Sequence, residues 1–232
     1  MTHHFNNKNR VKPLKSFVIR ASRITNAQKL ALEKYWKLYI IEFTKNPIDL
    51  GLTFKNQAPL IVEVGFGMGD SLLEMAKNHA DKNFIGIEIH KPGIGKLLHG
   101  IATEKLNNLK IFCHDASEVL KFSIAENTIS KLLILFPDPW HKKKHNKRRL
   151  IQSAFIDSVL PKLTKGGCIH LATDWYPYAQ HMMDVLESTN CAFNIMGERK
   201  YCCNADRPQT KFEKRGENLG HNIYDLIFEK ET

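Results

Sequence analysis

Short apolar runs, each closed by glycine, proline or an acid, alternate along this chain with longer amphipathic stretches. Leu60–Gly65, Asn83–Ile89, Leu109–His114, Lys131–Phe136, Cys168–Thr173, roughly Ala192–Met196 and Ile223–Phe228 read as strands, several of them apolar enough for burial on both faces. Between them Asp70–His79, Pro92–Leu106, Ala116–Phe122, Arg149–Leu163 and Trp175–Ser188 read as helices. Pro92 suits a first helical turn, and Lys165-Gly166-Gly167 suits a helix stop before the next strand. Upstream, Asn26 to Phe43 is helical in pattern, with Leu30, Tyr35, Leu38 and Ile41 near one face, and Pro47 to Pro59 is a connector. Glu198 to His221 shows no period and is too long for a simple turn; such stretches inside a compact domain are usually functional. The alternation predicts an α/β fold, a seven-stranded, mostly parallel sheet flanked by helices, over residues 24–232. Residues 1–23 read as a basic, flexible arm.

Composition excludes some classes. No apolar run approaches the roughly 20 residues of a membrane span, and the N-terminus has no apolar signal core, so a cytoplasmic protein is expected. Five cysteines, without a C-x-x-C pair, point to reduced structural thiols, and neither they nor the histidines show the spacing of a metal site. Net charge is +10, and it is concentrated. Residues 1–23 hold Lys8, Arg10, Lys12, Lys15, Arg20 and Arg23 without an acid; residues 142–149 hold Lys142, Lys143, Lys144, Lys147, Arg148 and Arg149, again without an acid. Cations clustered in two segments of an otherwise near-neutral chain are the footprint of a polyanion binder.

The first strand runs into Gly65-Phe66-Gly67-Met68-Gly69-Asp70, a glycine turn that opens a helix. Glycines let backbone turn tightly and approach a ligand, although many α/β proteins use them here only for packing. Glu88 ends the second strand at the spacing where an acid accepts ribose hydroxyls, and Asp115 ends the third. The turn departs from the dinucleotide pattern, because Gly69 comes one residue early. Glu63 and Asp70 flank it with negative charge, unfavourable beside pyrophosphate and favourable beside a sulfonium and an amino group. S-adenosylmethionine is the cofactor this pattern indicates, with the turn at Gly65 and Gly67 and the acids Glu63, Glu88 and Asp115 lining one crevice.

The fourth strand delivers Phe136-Pro137-Asp138-Pro139-Trp140 and then the basic run 142–149. An acid between two prolines, followed by an aromatic ring, resembles the Asp-Pro-Pro-aromatic pattern of methyltransferases that act on base nitrogens: rigid backbone, a placed carboxylate, and a ring on which a base can stack.

Five strings carry a closer likeness: Glu63-Val64-Gly65-Phe66-Gly67; Gly86-Ile87-Glu88-Ile89-His90; Phe136 to Arg149; Thr173-Asp174-Trp175; and Arg207-Pro208-Gln209-Thr210-Lys211-Phe212-Glu213. In matching order, from about Ser16 to Asp225, they resemble the tRNA (guanine-N7-)-methyltransferase family in its bacterial single-chain form. The resemblance implies a Rossmann-like class I methyltransferase that moves a methyl from S-adenosylmethionine to guanine N7 in the variable loop of tRNA. It implies cofactor contacts at Glu63, Glu88, Asp115 and Asp138, with Asp138 also the active-site residue. Substrate contacts fall on Lys142, Asp174, Thr210, Lys211, Phe212 and Glu213, and RNA contacts on Lys144, His145, Asn146, Lys147, Arg148 and Arg149. Asp174 or Glu213 would accept from the N1–H and N2–H₂ edge of guanine. No metal, membrane or obligatory protein partner is implied, and monomer and homodimer stay open. The competing readings are a base-amine methyltransferase on RNA or DNA, a non-catalytic RNA-binding protein with a degenerate core, and a nicotinamide dehydrogenase, the last disfavoured by the glycine spacing.

Overall fold

A computed structural model describes residues 23–189, 192–203 and 205–231. Apart from Arg23, the expected basic arm lies outside these residues, as does Cys191. The apolar runs form β1 (Leu60–Val64), β2 (Asn83–Ile87), β3 (Leu109–Phe112), β4 (Ile129–Leu135), β5 (Leu163–Thr173), β6 (Ala192–Asn194) and β7 (Tyr224–Lys230). Among the described residues they make one sheet in the order β3-β2-β1-β4-β5-β7-β6. The first five are parallel, and β7 pairs antiparallel with both β5 and β6. The chain moves outward from β1 to β3 and then returns to β4 beside β1, so a crevice opens at the carboxyl ends of β1 and β4.

The helices are α1 (Asn26–Tyr39), α2 (Leu50–Phe54), α3 (Asp70–Asn78), α4 (Lys91–Glu104), α5 (Ala116–Glu118), α6 (Ser153–Val159), α7 (Tyr176–Glu187) and α8 (Lys211–Asn218). Alternating side chains of the strands feed two cores. Val62, Val64, Ile85, Leu132, Ile134 and Leu171 pack with Ile156, Val159, Met182 and Leu186 of α6 and α7. Ile61, Phe84, Ile111, Leu133 and Ala172 pack with Ala31, Leu72, Ile94, Leu98 and Ile101 of α1, α3 and α4. None of the helices among the described residues is long and apolar enough to cross a membrane.

Several expectations are corrected. On α1 the inward residue is Ala31, with Leu32, Tyr35 and Trp36 against the core, whereas Leu30 and Leu38 are exposed. The helix expected over Arg149–Leu163 is shorter: Arg149 is extended, Gln152 is the N-cap at φ −135°, and Pro161 sits in a 3₁₀ turn over Leu160–Lys162. Lys165-Gly166-Gly167 lies inside β5, where Gly166 at φ +70° accompanies a register shift against β4. After α5 the chain continues as a π-turn, Val119–Ser123, and α2 interrupts the connector. The unperiodic stretch contains α8, whose only buried residue is Gly216, so no apolar period could announce it.

Candidate active site

The turn after β1 requires glycine, because Gly65 and Gly67 have φ of +72° and +58°. Gly65 donates its N–H to the Ile87 carbonyl (2.8 Å), and Gly67 donates to Glu88 Oε2 (3.0 Å). Glu88 Oε1 accepts from the N–H groups of Ile89 (2.7 Å) and His90 (3.0 Å). Three backbone donors therefore hold one carboxylate at the end of β2, beside the turn. Gly93, on the first turn of α4, lets that helix press against it: a Cβ there would collide with the Gly67 carbonyl. Asp115 caps α5, its Oδ1 accepting from Ser117 N (2.9 Å) and Glu118 N (3.4 Å).

Glu63 sits differently from its companions. It is 3% exposed, paired in register with Gly86 and Leu133, and its Oε2 has no hydrogen-bond partner. Burial, followed by the charge of Glu88, pushes its carboxyl up to about 8, against the pull of Arg207. Asp70, at the start of α3, is bonded by Lys96 and by Lys211 (3.0 Å). Its partial burial raises its pKa, but the two ammonium groups outweigh this and hold the carboxyl below its ordinary value.

At the end of β4, Phe136 (φ +53°) and Trp140 (φ +47°) are non-glycine residues in the left-handed region on either side of Asp138. Such conformations cost about 1–3 kcal/mol each and concentrate at functional sites. The loop turns Asp138 outward, into an exposed position. It is clamped by Arg149, whose Nε donates to the Pro139 carbonyl (2.9 Å) while the guanidinium lies 4.8 Å from the Tyr178 ring centroid. Arg149 is 6% exposed, so this member of the expected RNA-contact set is built into the protein instead. Lys143–Arg148 form a 3₁₀ segment in which Lys144 and Lys147 are exposed, as is Lys142 before it. His145 and Asn146 are half-buried, and Arg148 stacks on Trp140 at 5.0 Å. Partial desolvation, and then Arg148, Lys144, Lys142 and Lys147, lower the His145 pKa, which favours the neutral ring.

Asp174 follows β5, and its Oδ2 meets His221 Nδ1 at 3.2 Å. Thr210 caps α8 through a reciprocal pair: Thr210 Oγ1 accepts from Glu213 N (3.1 Å), and Glu213 Oε2 accepts from Thr210 N (3.1 Å). Phe212 is exposed, with its ring against Gly67, and Lys211 reaches Asp70. The segment 210–213 thus lies over the glycine turn, and the structure brings its expected substrate contacts beside the expected cofactor contacts. Glu213 is not an unengaged acceptor for a guanine edge, since Arg207 Nη1 also donates to its Oε2 (2.5 Å). Nothing in the sequence marks Arg207 or Gly93 for these roles, and His221, expected to be solvated or RNA-facing, instead meets Asp174; the Thr210-x-x-Glu213 spacing is the one local signal for the cap.

Residues 57–226 match the family described as putative methyltransferase. The tRNA (guanine-N(7)-)-methyltransferase of Yersinia pestis (strain Pestoides F) is 46% identical over 218 residues, covering 94% of this chain and 91% of that protein. That of Pectobacterium atrosepticum is 45% identical over the same share. The chain belongs to the tRNA (guanine-N7-)-methyltransferase family. It is accordingly an enzyme, a methyltransferase. Two solved structures share the fold alone: the 16S rRNA methyltransferase KamB (TM-score 0.56, 11% identity, 81% of this chain and 95% of that one) and the aminoglycoside-resistance methyltransferase NpmB1 (TM-score 0.55, 18% identity, 78% and 91%). The class I methyltransferase architecture expected from the family's strings is therefore the one observed.

Proposed function

We propose that this methyltransferase transfers the methyl of S-adenosylmethionine to N7 of a guanine in the variable loop of tRNA, and that it works in the cytoplasm. The observation that carries the reading is the juxtaposition at the carboxyl ends of β1 and β4. A glycine turn with a buried, unpartnered carboxylate oxygen stands beside a strained loop that presents Asp138, and an exposed cationic segment follows at once.

The residues suit the cofactor. Gly65 and Gly67 keep the turn free of side chains; a Cβ at Gly65 would meet nothing within 4 Å, so the space above it is open. Glu88 and Asp115 each retain lone pairs for hydroxyl or amino donors after their backbone contacts. Glu63 Oε2 faces no hydrogen-bond donor, an arrangement suited to a cation and hostile to pyrophosphate. Bound there, S-adenosylmethionine supplies an electrophilic methyl on a sulfonium.

Guanine N7 already presents a lone pair and carries no hydrogen, so none of these side chains has to remove a proton before attack. Asp138 orients the reactants and stabilises the positive charge that appears on the purine. Asp174 accepts from the donor edge of the guanine. Thr210, Lys211 and Phe212 enclose the base, and Glu213 maintains their cap. Lys142, Lys144, Lys147 and Arg148, with His145 and Asn146, hold the RNA backbone and the splayed loop. The test is methyl transfer from labelled S-adenosylmethionine to unmodified bulk tRNA, followed by mapping of the labelled base. Label at N7 of a variable-loop guanine is expected; label on an exocyclic amine would assign a base-amine methyltransferase instead.

A further inference from the structure

We propose that Arg207 is a positioning residue for the guanine site, a buried fork that ties the substrate segment to the sheet and to the loop carrying Asp138. The proposal rests on reading Thr210–Glu213 as the substrate segment.

The Arg207 side chain is 2% exposed. Its Nε and Nη2 each donate to one oxygen of Asp225, on β7, at 2.8 Å. Its Nη1 donates to Glu213 Oε2 at 2.5 Å, and that oxygen also accepts from the Thr210 N–H. The guanidinium lies 5.7 Å from the ring centroid of Phe136, the residue that opens the Asp138 loop in a left-handed conformation. One planar group thus touches β7, the cap of α8 and the root of the catalytic loop.

Asp225 is fixed from beneath. His170 Nε2 stands 2.6 Å from Asp225 Oδ1, and the His170 side chain is fully buried. His170 Nδ1 has no partner. Burial outweighs the hydrogen bond to Asp225 and lowers the pKa of the imidazole, leaving a neutral ring. The tautomer with the proton on Nε2 therefore fits, because an orphaned lone pair at Nδ1 costs less than an orphaned N–H. Asp225 stays ionised: burial raises its pKa, and the bonds from His170 and Arg207 more than reverse this.

An anchor is needed because α8 cannot hold itself. Its eight residues are mostly charged, and Gly216 alone is buried. Besides Gly216 seated beside Asp174 and the bond from Gln209 to Glu217, its orientation rests on the cap, on Lys211 bound to Asp70, and on Arg207. A lysine would keep the charge, but a single ammonium cannot reproduce two parallel bonds to Asp225 and a third in another direction.

The test compares R207K, T210A, F212A and the R207K/T210A double variant in the full-length protein, with thermal melting, calorimetric S-adenosylmethionine binding, and kcat and KM on unmodified tRNA. R207K is expected to melt cooperatively and bind the cofactor within about twofold of wild type. It is expected to lose roughly 30- to 100-fold in kcat/KM for tRNA, the scale of a misplaced substrate contact. The double variant is expected to fall no further than the worse single variant, since both act on one cap. Wild-type kcat/KM in R207K, additive losses, or a folded R207K whose cofactor binding falls in parallel with its activity on tRNA would each overturn the proposal. An impaired F212A beside a normal R207K removes the proposal alone. Normal T210A and F212A beside an impaired R207K remove the underlying reading of the substrate segment, and the proposal with it. If R207K does not fold, E213D shortens the carboxylate that Arg207 grips without emptying the sheet, and carries the same expectations.

Discussion

Replacing Glu63 with glutamine tests the electrostatics of the cofactor crevice before any ligand is added. The folded carboxyl is pushed up to about 8 from an ordinary value of 4.5, by burial first and by Glu88 second. Below 4.5 both folded and unfolded chains carry the proton, and Glu63 imposes no penalty. Between 4.5 and 8 the unfolded chain ionises while the folded one keeps its proton, so stability falls as pH rises. Above about 8 the loss is complete. The interval, at roughly 1.4 kcal/mol for each pH unit, amounts to about 5 kcal/mol, an upper bound that relaxation and water entry reduce.

The substituted glutamine is close in shape to the native side chain and never ionises. Its amide donors, placed where Oε2 now lacks a partner, cost about 1–3 kcal/mol independently of pH. The readout is therefore a slope rather than an offset. In urea unfolding of the cofactor-free protein from about pH 5 to pH 9, the stability of E63Q relative to wild type is expected to rise by about 2–4 kcal/mol across the range. Parallel curves would refute the reasoning. At about pH 8.5 the same variant is expected to bind S-adenosylmethionine about tenfold more weakly, having lost the charge that faces the cation.

Asp138→Asn is expected to lower kcat roughly 30-fold or more with both substrates saturating, as loss of a preorganised charge does; near-normal turnover would sink the electrostatic role. A triple K144A/K147A/R148A variant is expected to flatten the plot of log K for tRNA against log salt by about 0.7 for each lost phosphate contact, with cofactor affinity unchanged. An unchanged slope would place the RNA elsewhere. Gly93→Ala drives a methyl into the Gly67 carbonyl, so calorimetry should show S-adenosylmethionine binding weakened by about tenfold or more together with a lower melting temperature. A variant that binds normally would mean that α4 does not support the turn.

The parts of this enzyme legible in its sequence are those whose cause is local. Leu60, Ile61 and Val62 announce a buried strand because they are consecutive and apolar, and the acids Glu63, Glu88, Asp115 and Asp138 are separated by one βα unit at a time. Asp138 is conspicuous because the prolines that constrain it are adjacent. What stayed hidden depends on partners brought in by the fold. Arg149 closes a basic run and looks like its neighbours, yet it is buried because the Pro139 carbonyl and the face of Tyr178 meet there. Leu30 and Leu38 satisfy a helical period but lie on the exposed side, because α1 packs through the small Ala31. Arg207 meets Asp225 eighteen residues later in the chain, and only the antiparallel return of β7 beside β5 puts that carboxylate and His170 on one face. A charged residue in an unperiodic stretch has no apolar neighbours to betray its burial. Its partners identify it, and the same partners make a conservative change at Arg207 more informative than a drastic one: lysine preserves every local property the sequence displays and removes only the geometry the fold supplies.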